Sequence, residues 1–223
     1  MGFHVRRVLF NGDVEEDLVQ RVFKFCPNLE DFALWHSPFR PRWFPLISPG
    51  LRLLSANLSV LVPMTYQQPI FHNLTHLDVV ASSGIRWIDC WKQMAQQLSS
   101  LTHLSINEDV EVGVLTELLV QCLRLCLLIV LKAAAIEDED QRSIASSYLD
   151  IDDTRLILIE EYYLPHATQD WENCAYGRYD LWDFGASCRD ARNGVYPEPL
   201  RFYFWLMFKS RSFLSRQQTE MVD

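Results

Sequence analysis

With 223 residues, 49% of them hydrophobic, the chain has material for one buried core or one repeat array, which argues against disorder of the whole chain. A formal net charge of −9 and a pI near 5.1 argue against a nucleic-acid footprint, because phosphate contacts need a surplus of Lys and Arg. The same acidity suits basic or neutral protein partners.

The N-terminus, Met1-Gly2-Phe3-His4-Val5-Arg6-Arg7, has no apolar run of signal-peptide length, and no stretch reaches the roughly 18 uncharged apolar residues of a membrane span. Six cysteines (Cys26, Cys90, Cys122, Cys126, Cys174, Cys188) form no CxxC pair and are too dispersed for a secreted scaffold, so they read as reduced and mostly buried. A cytoplasmic or nuclear location follows as an expectation.

Taken in order, the chain repeats one short pattern, apolar-x-x-apolar-x-apolar. The first copy is Val5/Val8/Phe10. Asp13-Val14-Glu15-Glu16 then offers a cap residue with Glu three places on, and Leu18, Val19, Val22 and Phe23 predict a helix ending near Cys26-Pro27. The second copy is Leu29/Phe32/Leu34; Pro38, Pro41, Pro45 and Pro49 after it predict an irregular loop rather than a helix. Leu51/Leu54/Ala56 is the third, followed by another irregular stretch with Pro63 and Pro69. Leu74/Leu77/Val79 and Leu101/Leu104/Ile106 are the most alike, Leu-Thr-His-Leu in both, with a helix predicted between them through Ile88, Trp91, Met94, Ala95 and Leu98. Leu115, Leu118, Leu119 and Cys122 predict a helix before Leu125/Leu128/Val130. A weaker one, from about Asp138 to Tyr148, precedes a last copy, Asp153/Leu156/Leu158, that has lost its first apolar residue.

From first position to first position the intervals are 24, 22, 23, 27, 24 and 28 residues, within the range of about 20 to 29 typical of leucine-rich repeats. A single short strand cannot bury its apolar side, whereas stacked parallel strands about 4.8 Å apart make a continuous core. The predicted fold is therefore α/β, a leucine-rich-repeat solenoid with parallel strands on the concave side and helices and irregular loops on the convex side. About seven strands occupy 1–164, an aromatic C-terminal cap 165–194 and a tail 195–223.

The stretches Cys26-Pro27-Asn28-Leu29-Glu30-Asp31-Phe32-Ala33-Leu34-Trp35 and Phe71-His72-Asn73-Leu74-Thr75-His76-Leu77-Asp78, with Asp170-Trp171-Glu172 and Asp180-Leu181-Trp182 near the end, resemble the repeat region of fungal, basidiomycete-like F-box proteins over roughly residues 3 to 193. The resemblance implies a substrate-recruiting arm of a ubiquitin ligase, joined to a Skp-type adaptor through F-box helices. Those helices lie upstream of the repeats in that family, and a first strand at about His4 leaves no room for them. The adaptor-binding role is thus carried to no residue of this chain, which is expected to be a fragment of a longer product or a truncated relative whose first strand offers an unpaired edge.

In such a solenoid the third and fifth pattern positions face outward on the concave side. The predicted protein-binding residues there are Asp31, Ser55, His76, Asp78, His103 and Ser105, a polar centre, with Leu127 and Ile129 as an apolar shelf and Arg155 beyond. The competing expectation is that the polar residues are merely solvated and the apolar ones are covered by the C-terminal segment. His76, Asp78 and His103 are also a conceivable metal-dependent hydrolase centre, outweighed by the ordinary juxtaposition of side chains on neighbouring strands. GxGxxG, P-loop, GxSxG and HExxH motifs do not occur, Asp150, Asp152 and Asp153 lack the glycine and closing Glu of a calcium loop, and Glu137-Asp138-Glu139-Asp140 reads as a solvated helix start. Cys122 and Cys126, four residues apart, are expected on a helix face in the core. No catalytic residue, cofactor or metal is assigned, and a protein-interaction scaffold is the expected function, with a degenerate structural fragment as the alternative.

After Leu164-Pro165 the repeat stops and Trp171, Tyr176, Tyr179, Trp182 and Phe184 follow in close succession, predicting a cap over the last strand with a helix from about Leu181 to Arg192. Pro197-Glu198-Pro199 reads as a linker. The run Phe202 to Phe208, too short to span a bilayer, is expected to be poorly ordered or to lie at a membrane surface.

Overall fold

The computed structural model describes residues 4–10, 12–38, 40–57, 69–80, 95, 98–107, 110–133, 151–162 and 164–193. Seven strands, β1 (Arg7–Phe10), β2 (Asp31–Pro38), β3 (Leu53–Asn57), β4 (His76–Val80), β5 (His103–Asn107), β6 (Leu127–Ala133) and β7 (Leu156–Tyr162), form one sheet in chain order. All six pairings are parallel. Arg7 stands opposite Asp31, Asp31 opposite Leu53, Leu53 opposite His76, His76 opposite His103, His103 opposite Leu127, and Leu128 opposite Leu156. Partners are thus 24, 22, 23, 27, 24 and 28 residues apart, the same intervals as the sequence pattern.

The stack is secured one residue ahead of most strands. The Arg6 carbonyl accepts from the N–H groups of Glu30 and Asp31, that of Glu30 from Arg52 and Leu53, that of Arg52 from Thr75 and His76, and that of Thr75 from Thr102 and His103. Each turn of chain thereby satisfies the backbone of the next. Inward positions are apolar and dry: Phe32, Leu34, Leu54, Ala56, Leu77, Val79, Leu104, Ile106, Leu128 and Val130 are each 0% exposed. The first pattern residues, Leu29, Leu51, Leu74, Leu101 and Leu125, lie in the same core.

On the core side, α1 (Glu16–Phe25) buries Val19 and Phe23, while α3 (Val112–Gln121) buries Val114, Leu115, Leu118 and Leu119. The N-cap of α1 is Glu15, without a side-chain bond, rather than Asp13. The two proline-rich returns are not wholly irregular: a 3-10 helix spans Pro41–Leu46, and a short α2 spans Pro69–His72. Both are compatible with proline, since a 3-10 segment is short and a first-turn proline lacks only an N–H that has no helical acceptor. The helix expected through Ile88 to Leu98 falls mostly outside the described residues, although Ala95 and Leu98 do pack on the core. The expected helix over 138–148, Cys90 and the tail with its aromatic run lie outside them as well.

Two further helices, α4 (Leu164–Ala175) and α5 (Leu181–Arg192), follow β7. The bounds of α5 coincide with the expected helix. Asp180 caps it, accepting from the N–H groups of Trp182 and Asp183 while the Asp183 carboxylate accepts from the Asp180 N–H, a capping box that settles where the helix starts. Among the described residues no helix is long and apolar enough to cross a membrane.

Candidate functional site: the covered concave face

The C-terminal helices lie across the outward face of the sheet rather than over its last strand alone. Leu127, Ile129, Leu131 and Ile157 form a second buried cluster, with Ile159, Leu181, Trp182 and Cys188 packed on it. Helix α5 comes closest at Gly185, where an added Cβ would stand 2.7 Å from Ile129 Cδ1 and 3.0 Å from Leu127 Cδ2. Hydrogen bonds pin the helices at both edges: Arg7 Nη1 donates to the Cys174 carbonyl at 2.7 Å, and Arg192 Nη1 to the Leu156 carbonyl at 2.7 Å.

Of the residues expected to meet a partner, Leu127 and Ile129 are thus sealed beneath α5. Arg155 stands just before β7 and turns to the helix side of the sheet. Its guanidinium donates to the Leu119 carbonyl at 2.7 Å and pairs with Asp153, a cation at the C-terminal end of α3 where the helix dipole favours one. Register placed it on the concave side; unsatisfied helix carbonyls redirect it. Cys126, expected on a core face beside Cys122, is exposed, because α3 ends at Gln121 and the spacing of four is no longer helical.

The polar centre does assemble. Asp31 accepts from Arg7 Nε at 2.8 Å, with burial raising its carboxyl pKa and Arg7 opposing. Next, Trp35 Nε1 donates to Ser55 Oγ at 2.7 Å, and the Ser55 hydroxyl donates to Asp78 Oδ2 at 2.6 Å. The other oxygen of Asp78 is shielded from solvent and accepts no hydrogen bond among the described residues. Buried Ser105 also faces that carboxyl, near enough for its hydroxyl to favour the charged form. Burial pushes the Asp78 pKa up, the Ser55 and Ser105 hydroxyls oppose that, and the charge of Asp170 adds to it.

His76 and His103 stack face to face, ring centroids 4.2 Å apart and 7° from parallel, with the Trp182 indole edge-on to both at 5.3 and 5.7 Å. The Thr75 hydroxyl donates to the Arg52 carbonyl, so its contact with His76 Nδ1 at 2.9 Å requires an Nδ1–H donor. Thr102, bonded to the Thr75 carbonyl, fixes His103 in the same tautomer. An Nδ1–H is compatible with either charge state, and it is burial that favours the neutral form of both rings. Burial first, then His103 and Arg52, lowers the His76 pKa to about 4, and burial and Arg189 lower that of His103.

Depressed histidines make an acid-sensitive joint. The unfolded chain binds more protons between the ordinary imidazole value of 6.5 and about 4, so stability from His76 is complete above pH 6.5 and lost as pH falls toward 4. Asp78 acts in the opposite sense, losing stability as pH rises through its elevated value. The difference in melting temperature between the native chain and a His76→Gln, His103→Gln variant is expected to shrink by about 5 to 10 °C between pH 7 and 4.5, from about 2 to 3 kcal/mol of linkage. Calorimetric melts at both pH values test this, and a pH-independent difference would refute it.

His76, Asp78 and His103 do not converge on an ion: among the described residues no group of three or more His, Cys, Asp or Glu could hold one. Burial holds the thiols of Cys122 and Cys188 up at about 11 and that of Cys174 at about 12, where the reactive thiolate is scarce.

A cleft of about 40 Å³ remains between the sheet and the helix pair, its walls including Trp35, Asp78, Asp170, Trp171, Asp180 and Trp182. Trp35 and the α4 residues were not expected there. The outward position of Trp35, one past the pattern on β2, and the Asp-Trp pairs of the C-terminal segment are the only sequence signals for it. No protein-family model matches the chain, and no curated protein matches it. The fold class is α/β, built on an all-parallel sheet of seven strands in sequential order.

Proposed function

We propose that the chain is a leucine-rich-repeat solenoid that binds another protein, as the substrate-recognition repeats of an F-box-type ubiquitin ligase component, and that it is not an enzyme. The observation that carries the reading is the register: six successive pairings advance by one pattern interval each, so every repeat supplies one strand and one layer of core. The resemblance to fungal F-box repeat regions supplies the ligase context. A Skp-type adaptor enters only with a longer form that carries an F-box, and a cytoplasmic or nuclear setting goes with the reading.

With Leu127 and Ile129 sealed, the partner meets the half-buried polar residues toward the β1–β5 end: Asp31, the His76/His103 pair and the rim of the cleft beside Ser55 and Asp78. Cross-linking capture from cells is the test, comparing the native chain with Asp31→Lys and with Leu123→Glu, a side chain 87% exposed beyond α3. A defined partner lost at least tenfold with Asp31→Lys and retained with Leu123→Glu is expected. No specific partner, or one indifferent to both changes, would overturn the reading.

A further inference from the structure

The two ends of the sheet are not alike. Among the described residues β1 has one neighbour, β2, and β7 has one, β6. The Arg6 carbonyl turns to β2, and peptide groups alternate along a strand, so the N–H and C=O of Arg7 and Leu9 turn to the open edge. Such an edge is a template for a further strand.

The β1 end is apolar as well as open. Helix α1 reaches the 3-10 helix beside it through Glu16, which pairs with Arg42, and through Phe23, whose ring lies 6.4 Å from that of Trp43. Leu18, Val22 and Phe25 follow one another at helical spacing on the flank turned away from that neighbour. Val22 is half-buried, Leu18 is 45% exposed and Phe25 58%. Val5, just ahead of β1, is exposed too. The last layer of a stack needs a polar outer face to stay in water alone, and this one is apolar.

Charge selects what covers it. Exposed Arg6 and Arg7 stand at the start of β1, and exposed Asp13, Glu15 and Asp17 follow its end. Two such strands side by side and antiparallel set the basic start of each against the acidic sequel of the other, the self-complementary arrangement that a two-fold axis requires. The opposite edge lacks this pattern. Asp152 and Asp153 precede β7, Glu160 and Glu161 lie within it, and Arg155 is turned to α3, so self-pairing there sets acid against acid.

We propose that the β1 end is a dimer interface, in which the β1 strands of two copies of this chain pair antiparallel about a two-fold axis and the Leu18/Phe25 flank of α1 packs against the second copy. A four-residue edge alone buries too little for a stable dimer, and the helix flank supplies the remainder.

Sedimentation equilibrium of the full chain measures the mass, and amide hydrogen exchange read residue by residue locates the contact. A mass of twice 26.1 kDa at micromolar concentration is expected, with slow exchange at the Arg7 and Leu9 N–H groups that quickens on dilution to the monomer. Leu9→Pro removes a donor that the β1–β2 pairing does not use, and should yield a folded monomer. Arg6→Asp should weaken the dimer about fivefold or more, and Asp13→Arg added to it should restore most of the loss. Breaking the Arg6–Glu30 pair within one copy would show no such rescue. Should Leu9→Pro fail to fold, the charge exchange decides. A chain that stays monomeric up to about 100 μM overturns the proposal. So does a dimer indifferent to these substitutions, whose interface lies elsewhere. Slow exchange at Arg7 and Leu9 that dilution leaves unchanged shows the edge covered by the chain's own residues, and overturns it as well.

Discussion

Leu104→Ala is expected to lower the free energy of unfolding by about 3 to 5 kcal/mol, enough to move the melting temperature of a chain this size by about 10 °C or more. Leu104 is 0% exposed on β5, with Leu77 of β4 and Leu128 of β6 as its register partners, so its loss opens a cavity between two repeats at once. Rigid neighbours on both sides keep that cavity from collapsing. The contrasting change is Leu123→Ala: the same atoms are deleted from a side chain 87% exposed, and a shift within about 0.5 kcal/mol is expected. Chemical denaturation of both variants is the measurement. Similar costs at the two positions would mean that inward pattern residues do not carry the core.

Gly185→Leu is expected to cost about 3 kcal/mol or more and to lift α5 from the sheet, because a branched side chain must enter space already occupied by Ile129 and Leu127. Gly185→Ala should be nearly neutral, a helix-propensity gain of about 1 kcal/mol offsetting crowding that a turn of the Ile129 terminal methyl relieves. Lifting the helix also withdraws Trp182 from the His76/His103 stack, so a red-shifted tryptophan emission should accompany the loss. Adding Ile129→Ala to Gly185→Leu makes room, and the double variant should recover at least half of the deficit. Additive losses instead would place the strain elsewhere.

The strands were legible because stacking imposes a demand on every repeat: positions such as Leu54, Leu77 and Leu104 must be apolar, at an interval the chain keeps within a few residues. Helices α1 and α3 were legible for the same reason, through apolar faces turned to that core. Less visible was α4, since Leu164-Pro165 resembles a stop signal, yet a proline in the first helical turn meets no carbonyl of a preceding turn. The apolar outward residues Leu127, Ile129 and Ile157 signal that something covers them without naming the cover. As for the site, the chain of bonds from Trp35 through Ser55 to Asp78 joins three strands, and strand-to-strand neighbours become readable only once the register is fixed. Arg155 shows the limit of register itself: the pull of a helix end outweighed the position assigned by counting.

The bond from Arg7 to the Cys174 carbonyl joins groups 167 residues apart. A stack of repeats held only by nearest neighbours could form progressively as synthesis proceeds, each new strand finding its template already in place. Here the oily outer side of β6 and β7 waits bare until the last helices emerge from the ribosome, and the first strand waits longer still for its tie to α4. Completion should therefore be a late, slow and all-or-none event governed by closure of a very long loop, and chains stalled short of residue 164 would be the ones that chaperones hold.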